Sequence, residues 1–295
     1  MMNTSQMEWM ARQLRLERAG QCADEIVEIS HGLSAPVQPL EIAQSETPLL
    51  HVIGNNFRDY FDGRLEYHPS QARFLLFFNT KYDAGRQGEH HPRTRFSIAH
   101  ELGHYFLEDH RAYLMRGGAP HASASEYASR MQVEREADSF AACLLMPTKA
   151  IRPKVNAAEL SLARLEEIAA VFRTSMLSTA IRSVRLSDFP CAVAGVRDAA
   201  IAWMFASEAL VKGGCYPVGR GDLSAGAQQR WEAFASGDFN RAERNGKVDD
   251  WLRTYERDDL AAIPVWEEYL PIASTETLVV LLSVDECDLF QEEDE

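Results

Sequence analysis

Residues 95–106 read Arg-Phe-Ser-Ile-Ala-His-Glu-Leu-Gly-His-Tyr-Phe, and no other stretch constrains the chain as strongly. His100 and His104 stand four apart, so on a helix both imidazoles share one face and can reach one metal ion. Glu101 sits beside them, placed to hold a water at that ion. Phe96, Ile98, Ala99, Leu102 and Phe106 supply apolar surface around the pair, so the helix is expected to be buried. A third protein ligand would leave one coordination position open, the arrangement of catalytic zinc rather than structural zinc. The plainer alternative is a satisfied core pair or a surface pair of histidines, since the chain has nine His.

Composition narrows the field. The 295 residues are enough for one large or two ordinary domains. With 46% hydrophobic and 25% charged residues, the chain can build a core. A formal net charge of -14 argues against broad nonspecific binding to nucleic acid or anionic membrane. The five Cys are scattered, odd in number and form no C-x-x-C, so they read as free thiols of a reducing compartment. No charged region followed by an apolar run and a cleavage site opens the chain, so no signal peptide is expected. No apolar segment approaches the roughly 20 residues that span a bilayer. A cytoplasmic location follows as the expectation.

Around the central helix the pattern is mixed. Residues 5–31 are expected to form one amphipathic helix, 39–43 a short helix, 49–53 a strand and 72–79 a second strand. Residues 55–63 and 111–124 read as irregular. The strand at 72–79 is either an edge that pairs with an extended peptide or an interior strand.

A second helix is expected over residues 125–146, closed by Pro147, and it carries two glutamates. Ala137, Phe140, Ala141, Leu144 and Leu145 define its buried face at about 100° per residue. By the same rotation Glu134 lies about 50° from the centre of that face, and Glu136 about 110° away, toward solvent. Glu134 is therefore the better third ligand. Asp138, one turn further on, is placed to accept a hydrogen bond from the second nitrogen of a ligand histidine and so fix its tautomer. Both acids also read as ordinary charges at a helix edge; the metal reading depends on the preceding His-Glu-x-x-His.

Taken together, 95–105 and Glu134-Arg135-Glu136-Ala137-Asp138-Ser139-Phe140-Ala141-Ala142-Cys143-Leu144-Leu145-Met146-Pro147 resemble the ImmA/IrrE family of metallopeptidases. The resemblance extends more loosely from about residue 20 to residue 186. It implies a zincin-like fold and gluzincin-like zinc binding by His100, His104 and Glu134, with Glu101 as general base. Relatives often have Asn where Asp138 stands, a departure that leaves the ligands intact. The resemblance also implies a regulatory endopeptidase whose substrate is a helix-turn-helix repressor or antitoxin, controlling transcription. Tyr105, His110 and His121 are candidates for an additional oxyanion donor; packing for Tyr105 and a solvated loop for the two histidines are the plainer readings.

The expected fold class is α+β: a metallopeptidase domain over 1–150 with a small sheet, a helical hairpin over 151–188, and an α+β domain over 189–295 with mainly antiparallel strands. The helices expected at 157–173 and 175–186 resemble a helix-turn-helix, with Arg173, Arg182 and Arg185 as possible phosphate contacts. The acidic chain favours a packed hairpin, so direct nucleic-acid binding is not expected. Strands are expected at 191–196, 200–205, 265–270 and 277–284, a helix at 223–236, and turns over 237–249. No phosphate loop or catalytic constellation is found there, which leaves a sensor, a partner-binding domain or a structural addition. Two further functions compete with proteolysis: a regulator that sequesters a transcription factor without cleaving it, and a direct DNA-binding protein.

Overall fold

The computed structural model describes residues 4–30, 34–86, 88–119, 122–123, 131–255 and 257–290, with the side chains of 4–9 and 122–123 excepted. The fold is α+β and divides into two compact units. One comprises residues 1–150 and 170–175, the other residues 151–169 and 176–295.

In the first unit, α1 (Thr4–Ser30) lies along α5 (Gln132–Leu145). Ala19, Ala23 and Val27 recur every four residues and are buried, a narrow stripe of small side chains that permits close approach. Gly20 faces Cys143 so closely that an added Cβ would stand 2.7 Å from its Sγ. The short α2 (Pro39–Ser45) leads into β1 (Leu50–Asn55), β2 (Gly63–His68) and β3 (Arg73–Asn79). Together with β4 (Ala122–Ser123) they form a sheet in the order β1-β3-β2-β4. β1 runs parallel to β3, while β2 is antiparallel to both β3 and β4. The 72–79 strand is therefore interior. β2 begins at Gly63, the last residue of the stretch expected to be irregular, and runs through residues given no element, although Leu65 and Tyr67 alternate with Arg64, Glu66 and His68 at the strand period.

Helix α3 (Pro92–Phe106) crosses this sheet and packs on α5. Proline at its first turn costs no hydrogen bond, and the His91 ring accepts from the Arg93 N–H as a cap. Residues 94–105 are all buried, as the apolar flanks predict. Residues 108–115 form α4 (Glu108–Met115), so the stretch expected as loop from 111 begins inside a helix. Residues 125–130, expected as helix, lie outside the described residues except that α5 itself begins at Gln132.

Helix α6 (Thr148–Val155) follows at the division between the units. Then come α7 (Leu162–Phe172) and α8 (Met176–Leu186), β5 (Cys191–Arg197) and β6 (Ala200–Ala206), α9 (Glu208–Lys212), β7 (Tyr216–Pro217), β8 (Gly221–Asp222) and α10 (Ala225–Ala235). The chain continues as β9 (Ala242–Lys247), β10 (Leu252–Arg253), β11 (Pro264–Ile272), β12 (Thr277–Ser283) and α11 (Glu286–Leu289). The large sheet of the second unit has the order β8-β6-β5-β12-β11-β9 and every pair in it is antiparallel. β9 occupies a stretch expected to be turns. Its residues alternate between half-buried and exposed, so it is an edge strand with little apolar signal. α8 packs on β5 and β6, and its Arg185 guanidinium lies over the Phe205 ring. Residues 177–181, Ser183 and Val184 of this helix are buried.

Candidate metal centre

Three side chains converge in the first unit. His100 Nε2 and His104 Nε2 are 3.1 Å apart. Glu134 Oε2 lies 3.2 Å from His100 Nε2, and Glu134 Oε1 lies 3.6 Å from His104 Nε2. These form a possible metal-binding group, its three donor atoms all within 4.8 Å of one another. Tetrahedral coordination at about 2.1 Å places ligand atoms about 3.4 Å apart, so the spacing and donor types fit zinc.

The packing of two helices creates this spacing. Gly103 lies against α5, where an added Cβ would meet the Ala137 Cα at 3.1 Å and the Phe140 Cβ at 3.2 Å. That contact brings the first turn of α5, with Glu134, level with the two histidines. A carboxylate in a first turn is also favoured by the helix dipole. Glu101 is completely buried next to the pair, and it lines a cavity of about 440 Å³ together with His104. Leu65, Tyr113, Leu114, Met131 and Val133 give that cavity an apolar wall, with Arg15, Asp109 and Arg116 also lining it. Gly63, the first residue of β2, faces the Glu101 side chain.

Each histidine is held from behind. His100 Nδ1–H donates to Asp138 Oδ1 at 2.9 Å. Burial disfavours charge on His100, but hydrogen bonds to Asp138 and Glu134 and the nearby Glu101 outweigh it and push the imidazole up to about 10. The carboxylates thus make this a place that demands positive charge, which either a proton or a metal cation supplies. Behind His104 stands His110, Nδ1 to Nδ1 at 3.1 Å. His110 Nε2 lies 3.0 Å from Glu136 Oε2. Arg15 completes the row, its Nε donating to Glu136 Oε1 at 2.7 Å and its Nη2 to Oε2 at 3.2 Å. Burial pushes His110 below its ordinary value despite the pull of Glu136. Burial works against the Glu136 carboxylate, yet the Arg15 and His110 hydrogen bonds hold it below its ordinary range.

Two expectations are corrected by this row. Glu136 does not face solvent; it is 5% exposed, because α1 covers that side of α5 and offers Arg15 as its partner. His110 is not a solvated loop residue but a buried side chain of α4. No local periodicity announces either contact, since Arg15 is 121 positions from Glu136. Tyr105 is buried, and its hydroxyl donates to Glu46 Oε2 at 2.9 Å. His121 lies outside the described residues.

Residues 86–183, about a third of the chain, match the Peptidase_M78 family model, described as the IrrE N-terminal-like domain. The chain also resembles a solved structure described as a Mycobacterium tuberculosis transcriptional regulator. The TM-score is 0.54 at 11% identity, over 93% of this chain and 78% of that one, which is a likeness of fold. No curated protein sequence matches. The family match supports a protease-like or regulator-controlling role. Among the described residues, no helix is long and apolar enough to cross a membrane.

Proposed function

We propose that this chain, whose residues 86–183 match the IrrE N-terminal-like domain, is a zinc-dependent endopeptidase that cuts a regulatory protein. The observation that carries the reading is the convergence of His100, His104 and Glu134 beside the buried carboxylate of Glu101. When bound by these three residues, zinc would acidify a water and polarise the scissile carbonyl. Glu101 takes the proton of the attacking water and delivers it to the leaving amine. Asp138 holds the His100 ring with its Nε2 lone pair turned inward. The cavity walled by Leu65, Tyr113, Leu114, Met131 and Val133 receives a segment of the polypeptide substrate next to Glu101.

The substrate class is a helix-turn-helix repressor or antitoxin, and the compartment is the cytoplasm. The family resemblance supports the substrate, and the regulator described above, similar in fold, is consistent with it. Residues 189–295 serve as a sensor or partner-binding domain. The test is incubation of the zinc-loaded chain with the repressor encoded beside it, read by mass spectrometry. Cleavage by wild type and none by Glu101→Gln is expected. Equal cleavage by the two would sink the mechanism. Stoichiometric binding of an uncut partner would instead establish a sequestering regulator, the reading favoured by the transcriptional-regulator likeness alone.

A further inference from the structure

The row of side chains behind His104 has no part in the reaction as proposed, yet it joins four helices. His104 comes from α3, His110 from α4, Glu136 from α5 and Arg15 from α1. We infer that Arg15, Glu136 and His110 are positioning residues that fix His104 in its Nδ1–H tautomer and aim its Nε2 lone pair at Glu134 and His100. The inference rests on the metal reading above.

The direction of every bond follows from the far end. A guanidinium has donors only, so Glu136 accepts from Arg15 at both oxygens. The ionised carboxylate likewise accepts from His110 Nε2–H. A neutral imidazole carries one proton, so His110 Nδ1 is an acceptor. The ring nitrogen facing it at 3.1 Å, His104 Nδ1, must then donate. That leaves the lone pair of His104 on Nε2, the atom 3.6 Å from Glu134 and 3.1 Å from His100 Nε2. Run in reverse, the row would set the His110 Nε2 lone pair against the Glu136 carboxylate, two acceptors 3.0 Å apart in a buried place. The two ligand histidines are thus oriented by different means. On His100 a carboxylate does it directly. On His104 the carboxylate is one ring removed, and Arg15 neutralises it there, so the orientation is obtained without adding net negative charge beside Glu134 and Glu101.

The test reads protons and metal in the full chain. Long-range proton–nitrogen NMR assigns the tautomers of the imidazoles; His104 is expected with its proton on Nδ1 and His110 with its proton on Nε2. Competition with a chromophoric chelator gives zinc affinity. His110→Phe fills the same buried space without an acceptor and should weaken zinc binding by about 10–100-fold. Arg15→Met, at a side chain that is half-exposed, should weaken it less but in the same direction, and it carries the test if the first variant fails to fold. The inference is overturned by a wild-type His110 protonated at Nδ1, or by wild-type zinc affinity in the folded variants. A wild type that takes up no zinc overturns the proposed function as well, whereas equal uptake by wild type and variants overturns only the positioning role.

Discussion

A Cβ added to Gly63 would stand 2.6 Å from Glu101 Oε1 and 2.9 Å from its Cγ. The strand and the general-base candidate occupy adjoining space that one methyl group would fill. Gly63→Ala should therefore push the Glu101 carboxylate aside while leaving His100, His104 and Glu134 in place. A displacement of about 1 Å costs on the order of 10²-fold in rate. The expected result is a fall of that order in kcat for repressor cleavage, with zinc content unchanged. Loss of zinc together with activity would show that the glycine supports the fold of the centre instead.

Glu134 and Glu136 stand two residues apart and should answer differently to removal. Glu134→Ala takes a donor from the metal group, so zinc affinity should fall by more than the roughly 10–100-fold cost of losing a hydrogen-bond partner of a ligand. Glu136→Ala should stay within that smaller range. Equilibrium dialysis of both variants checks the order, and a reversed order would exchange their roles.

In the second unit, Glu268 is buried on β11 and accepts from the Leu162 N–H at 3.1 Å. Burial raises its pKa despite that hydrogen bond. An acid whose folded pKa lies above its unfolded value makes stability fall as pH rises through the carboxylate range and keeps it lower above the folded pKa. Glu268→Gln keeps an acceptor for Leu162 and removes the charge. Its thermal midpoint should exceed that of wild type at pH 7, and the gain should vanish below about pH 4. A gain that persists in acid would need another cause.

Arg244 of β9 meets the fully buried Glu267 with both ends of its guanidinium, at 3.1 and 2.8 Å, and also reaches Asp250. Arg244→Met leaves the buried Glu267 carboxyl without its guanidinium partner. Breaking one side of a buried pair costs about 3–5 kcal/mol. Urea unfolding of the variant should show a loss of that size, and the double variant Arg244→Met, Glu267→Met should recover part of it.

The candidate ligands of α3 are legible in the sequence because helical spacing is local: four residues bring His100 and His104 onto one face whatever surrounds them. The face of α5 that carries Ala137, Phe140 and Ala141 was legible for the same reason, and it directs Glu134 toward α3. The burial of Glu136 is not legible in the same way, because rotation about one helix axis cannot register a second helix on the other side. Its burial depends on α1, which is distant in sequence. β2 is faint in the sequence because only Leu65 and Tyr67 mark it, and β9 because an edge strand with few apolar residues reads as turn. Gly63 carries no functional group, so nothing in its own chemistry points to Glu101.

The reach of Arg15 ties the histidine row to the folding of distant parts of the chain. Arg15 and its partner Glu136 stand 121 positions apart. Until α5 docks on α1 and α3, the row behind His104 lacks Glu136, and Glu134 is not yet beside the histidine. A partly folded chain thus carries His100 and His104 on one helix while the candidate metal group is still incomplete, so docking of α5 is also the step that completes it.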